Sequence, residues 1–211
     1  MQRRAVLLAL GGAGVALVST PARRVLACAC CAEDGQRVEG QHELQAHELV
    51  ELARVQLGAT ARLRTGAGDV ADYSKGIRDA AQSYLVTLAR KSDKRGDQWT
   101  IAFREPKGKT GVLAFLLPKV VEEFFVDLRD GKMGGGGGPL LYKELRLRMP
   151  IGGTGIFEPG MAAGTTARLV LQGRGNLCTE AEQLTHWSLA VSGPRAAYMF
   201  FGSLGPPTAR P

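Results

Sequence analysis

The most reactive side chains in this chain of 211 residues are its four cysteines. Three are clustered as Cys28-Ala29-Cys30-Cys31, and the fourth, Cys178, stands alone far downstream. Thiolates pair into disulfides in an oxidising compartment, or hold soft ions such as Cu(I) and Zn. The C-x-C-C spacing lacks the paired C-x-x-C of zinc sites. A disulfide from Cys178 to Cys30 or Cys31 is therefore the leading expectation. A Cu or Zn site built from Cys28, Cys30, Cys31 and Cys178 is the alternative, and no other cofactor is expected. Adjacent Cys30 and Cys31 cannot pair with each other without straining the peptide that joins them. Either chemistry thus predicts that Cys178 meets the cluster in space.

A second concentration of polar chemistry runs from Gln172 to Trp187. Arg174, Asn176, Glu180 and His186 in this stretch could contact a ligand. Cys178 and His186 also form the minimum pair for thiolate nucleophilic catalysis, but no nucleophile motif surrounds them, and a disulfide at Cys178 would remove the nucleophile. The sequence therefore leans away from an enzyme. A structural loop is the simpler reading, with Gly173 and Gly175 making the turn, Asn176 tolerating a left-handed backbone, and Trp187 entering the core. Gly108-Lys109-Thr110 is not a phosphate loop, because position 103 is Phe103 where that motif needs glycine. Gly152-Gly153-Thr154-Gly155 lacks dinucleotide-binding spacing. His42, His47 and His186 are too scattered for a metal motif.

The compartment that would oxidise these thiols is indicated by the N-terminus. Arg3 and Arg4 precede an uncharged apolar run from Ala5 to Val18. At 1.5 Å per residue this run is too short for a ~30 Å hydrocarbon core. It fits an export signal covering residues 1–29, with cleavage near 27–29. Gln2-Arg3-Arg4-Ala5-Val6-Leu7 resembles a twin-arginine signal, and Arg23-Arg24 agrees with that route. Val25-Leu26-Ala27-Cys28 resembles a lipobox, which makes Cys28 a lipidation candidate. Apart from the signal or such an anchor, no membrane association is expected. Residues 1–27 hold Arg3, Arg4, Arg23, Arg24 and no acid, so their removal takes Lys+Arg against Asp+Glu from 27 and 20 to 23 and 20. That small excess argues against nucleic acid as a partner.

The elements that must position these residues read mainly as strands. Trp99, Ile101 and Phe103 alternate with polar or small residues, as do Leu169 and Leu171, and Trp187, Leu189 and Val191. Leu141, Leu145, Leu147 and Met149 share one face, interrupted by Lys143. Residues 196–204 and 112–117 are apolar on both parities and predict central strands. Ala46, Leu49, Val50, Ala53 and Leu57 fall on one face of a predicted helix. Val121, Phe124, Phe125 and Leu128 fit a helix or a strand nearly equally. Thr179 to Glu182 matches a capping box for a short helical turn. The basic run from Arg90 to Lys109 reads as a solvated hairpin that could meet anionic headgroups or glycans. Gly134–Gly138 reads as a flexible connection, and residues 205–211 as a disordered tail.

The fold predicted is mainly β: one antiparallel β-barrel or β-sandwich domain over residues 30–204, with one or two short helices, behind a signal peptide. Ala27–Gly35 and Leu169–Trp187 resemble segments of bacterial exported proteins, a likeness that implies the periplasm or cell envelope and no activity. The reading is an exported, non-catalytic ligand-binding or structural module. Its partners would be the export machinery and a small molecule or envelope component. A Cys-coordinated metal-binding or thiol-redox protein is second, and a Cys178/His186 enzyme third.

Overall fold

A computed structural model describes residues 37–65, 73–134, 138–175 and 180–210. The signal segment, Cys28, Cys30, Cys31, Asn176, Cys178 and Thr179 lie outside the described residues, as do residues 135–137 of the glycine run. The contact expected between Cys178 and the cluster falls there with them.

The strands are β1 (Arg37–Glu43), β2 (Gln56–Leu57), β3 (Thr60–Leu63), β4 (Ser83–Asp93), β5 (Gly96–Arg104) and β6 (Thr110–Leu116). They continue as β7 (Val120–Val126), β8 (Leu141–Pro150), β9 (Gly152–Gly155), β10 (Thr166–Gly175), β11 (Leu184–Ser192) and β12 (Ala197–Gly205). One helix, α1 (Ala46–Arg54), lies between β1 and β2. All pairings are antiparallel, in the order β1-β7-β8-β10-β11-β12-β3-β4-β5-β6-β9, with β2 beside β12. Among the described residues the ladder does not close. Ile151 alone separates β8 from β9, so one run of chain leaves β10 and pairs with β6 across the core. The sheet thereby wraps one apolar interior, as a sandwich or barrel-like domain requires.

Alternation places the core where the sequence predicts it. Trp99, Ile101, Phe103, Leu145, Leu147, Leu169, Leu171, Trp187 and Leu189 are all buried on one face. At the centre, Phe200 meets Phe103 at 4.6 Å and Tyr84 edge-on at 5.3 Å between ring centroids, a geometry that adds to burial. Lys143 shares this face and is buried with it.

One element left open between helix and strand is resolved, and two others differ from expectation. Residues 120–126 form a strand, since the pairing of β7 with both β1 and β8 satisfies a backbone rich in β-branched and aromatic residues. Helix α1 forms, but Ala46, Leu49, Val50 and Ala53 face outward, with Leu49 and Val50 37% and 45% exposed. Its buried face is Glu48, Glu51, Leu52 and Arg54, held by polar contacts rather than by an apolar stripe. Glu48 accepts the Gln45 N–H at 2.9 Å, which caps the first turn, and lies 3.0 Å from His42 Nε2. Finally, β10 runs through Gly173 and Gly175, so these glycines belong to a strand and not to a turn. They admit the backbone and side chain of Gln183, against which any Cβ would collide.

Residues 206–210 run back against α1. Arg54 donates from Nε to the Thr208 carbonyl at 2.9 Å, and Arg210 approaches Glu51 at 3.4 Å.

Candidate functional site

The register of the sheet sets out a continuous array on the face opposite the core. Val170, Ser188, Phe201, Arg62 and Ser83 lie side by side across β10, β11, β12, β3 and β4. One row along, Gln172 faces His186, which faces Ser203. On the other side the Arg64 N–H donates to the Met199 carbonyl at 2.8 Å, which brings these two side chains together.

A groove of about 640 Å³ lies over this array, lined by Arg62, Arg64, Thr65, Gln82, Ser83, Gln172, His186, Ser188, Met199 and Phe201. That volume is within the range of small-molecule sites. Among the described residues no Asp or Glu lines it. Among the described residues the Arg62 guanidinium has no ion-pair partner, and the Arg64 side chain makes only a soft contact, Nη1 to Met199 Sδ at 3.6 Å. Phe201, 42% exposed, provides an apolar wall. His186 lies with Nδ1 2.9 Å from the Thr185 hydroxyl. Two fixed positive charges, hydroxyl and amide donors, and an exposed ring together suit an anion with an apolar body.

The four residues read from sequence as a ligand loop separate. His186 lines the groove. Arg174 is committed elsewhere, with Nη1 2.7 Å from Asp130 and Nη2 donating to the Leu140 carbonyl at 2.9 Å. Its hydrogen bond holds the Asp130 carboxyl down to about 2. Glu180 turns to Arg210 at 3.5 Å and lines a second, much smaller space of about 10 Å³ with Glu123 and Lys143. Asn176 lies outside the described residues, as does Cys178, the other half of the Cys–His pair.

Sequence reasoning missed Arg62, Arg64, Ser83, Met199 and Phe201. A signal was present: Arg62 and Arg64 alternate with the buried Ala61 and Leu63, and Met199 and Phe201 share the parity opposite Tyr198 and Phe200. The apolar character of 196–204 on both faces reads as complete burial, whereas one face serves the core and the other the groove.

Beside the groove the face carries a polar ladder. Tyr142 donates to Glu144 at 2.6 Å, and Arg146 bridges Glu144 and Glu39 at 2.6 Å each. Burial first, and then Glu144, push the Tyr142 hydroxyl up, so it stays protonated. These groups satisfy one another, while Arg168, exposed on the same face of β10, lies outside the groove lining. Among the described residues there is no group of three or more His, Cys, Asp and Glu suited to a metal ion. No helix among them is long and apolar enough to cross a membrane.

Compared with protein-family models, curated proteins and solved structures, the chain matches none.

Proposed function

We propose that this chain is an exported β-domain of the cell envelope that binds an organic anion, without covalent chemistry, in the groove over β3, β4, β10, β11 and β12. One observation carries the reading: Arg62 and Arg64 stand beside Phe201, Met199 and His186 in about 640 Å³, with no acidic lining residue among those described. An arginine fork recognises carboxylate, sulfonate or phosphate by paired charge-assisted hydrogen bonds, and the ring packs on the apolar remainder. Export rests on the N-terminal signal, and cysteine pairing would follow from the compartment.

Anilinonaphthalene sulfonate, an aromatic anion, tests this by fluorescence titration of the full chain. The expected result is one saturable site that weakens roughly tenfold in Arg62→Gln/Arg64→Gln. No saturable binding by the native protein, or equal affinity in the variant, would overturn the reading.

A further inference from the structure

The strand ladder ends at β1, which pairs with β7 and has no described strand on its other side. Beyond Glu43 the ladder continues with the Leu44 N–H donating to the Lys119 carbonyl at 2.9 Å. In an antiparallel pair alternate residues point their backbone groups at the partner. The even-numbered residues of β1 therefore bond to β7, and Arg37, Glu39, Gln41 and Glu43 turn their N–H and C=O groups to the open edge, where the Glu43 carbonyl already accepts one bond from exposed Gln45 Nε2 at 2.8 Å and keeps its second lone pair. Such an edge is a template for another strand unless its side chains forbid pairing.

The side chains of β1 select one pairing. Laid antiparallel on a second copy about a two-fold axis at Gly40, the strand places Arg37 opposite the other copy's Glu43, and Glu39 opposite its Gln41. Each odd-numbered residue then faces an odd-numbered residue, so the open backbone groups of both edges meet. Shifting the centre to Glu39 opposes two glutamates across the axis. Shifting it to Gln41 opposes Glu39 to Glu43 twice. A shift by one residue opposes bonded to unbonded groups and reverses the side-chain faces. The Gly40-centred register is the one that overlaps the whole strand, avoids acid-against-acid contacts and supplies a cation to each Glu43. Glu39 is already neutralised by Arg146 at 2.6 Å, so the axis carries little repulsion. Val38 and His42 face one another on the inner side, with glycine at the centre, so no bulky residue obstructs the approach.

We infer that β1 is a self-association edge, and that two copies of this chain join their sheets across it about a two-fold axis at Gly40. The interface is isologous, so each contact occurs twice. It is also small, which makes the dimer concentration-dependent.

Sedimentation velocity of the full chain in reducing buffer, where disulfide cross-links are absent, tests the inference. The expected result is a monomer–dimer equilibrium at high micromolar concentration. Arg37→Glu opposes like charges at both ends of the pairing and should weaken dimerisation roughly tenfold. Glu43→Arg should do the same by the opposite charge change. Arg37→Glu/Glu43→Arg restores the pair with its signs exchanged, and the dimer should return. Both positions are exposed, and circular dichroism confirms that each variant is folded. A native chain that is monomeric at every concentration, a dimer unmoved by either single reversal, or a double variant no better than the single ones would each overturn it.

Discussion

Arg54 and Thr208 hold each other twice: the Thr208 N–H donates to the Arg54 carbonyl at 3.0 Å, and Arg54 Nε donates to the Thr208 carbonyl at 2.9 Å. The same guanidinium donates to Glu51 at 2.6 Å and pairs with Glu182. Glu51 in turn accepts the Ala181 N–H at 2.9 Å. One arginine thus ties the end of α1, the turn before β11 and the C-terminal segment together. Arg54→Met should leave the buried Glu51 carboxylate without its main cation and lower the thermal midpoint by several degrees. Deleting residues 206–211 should also lower it. The two losses combined should fall short of their sum, because they break one network. Thermal melts followed by circular dichroism measure all three, and strict additivity would show that the segment and Arg54 act separately.

Gly173 and Gly152 make a contrasting pair. A Cβ on Gly173 would lie 1.8 Å from the Gln183 carbonyl oxygen, a backbone atom that can withdraw only if the turn before β11 moves. On Gly152 the nearest atom would be 3.9 Å away. Gly173→Ala is expected to cost about 1–3 kcal/mol or to prevent folding. Gly152→Ala should stay within about 0.5 kcal/mol. Urea denaturation of the two variants makes the comparison.

The Asp130 carboxyl is held at about 2 by hydrogen bonds from Arg174. Its folded value is below its unfolded one, so its contribution to stability is present above the ordinary carboxylate range and is lost as pH falls towards about 2. Carboxyl-carbon NMR titration should give a midpoint near that value. In Arg174→Gln the midpoint should rise into the ordinary range, while affinity for anilinonaphthalene sulfonate stays unchanged. A loss of probe affinity in that variant would return Arg174 to the binding site.

Much of the fold was legible because antiparallel strands with one wet face write their burial at period two. The inward run of Trp99, Ile101 and Phe103, and that of Trp187 and Leu189, could be read directly. Helix α1 was legible in position but not in orientation. Its apolar stripe suggests the buried face, yet Arg54, Glu51 and Glu48 find partners on β1, the turn before β11 and the C-terminal segment, contacts that pattern alone cannot reveal. The groove was legible only in the Gln172–Trp187 stretch, whose two ends line it and whose ligand candidates reach it through His186 alone. It is assembled from strands distant in sequence, and Arg62 and Phe201 become neighbours only through the pairing of β3 with β12. Arg174 and Glu180 looked equally suitable as ligands because a sequence does not show that Asp130 and Arg210 have claimed them.

The groove itself is tested most directly by mapping amide chemical shifts of the full chain as anilinonaphthalene sulfonate is added. Anion binding there predicts saturable shifts at Arg62–Thr65, Gln82, Ser83, His186–Ser188 and Met199–Gly202, with α1 and the distal end of the β4–β5 hairpin, residues 90–99, unmoved. Saturable shifts centred on α1 or on the distal end of the hairpin, or none anywhere, would contradict the account.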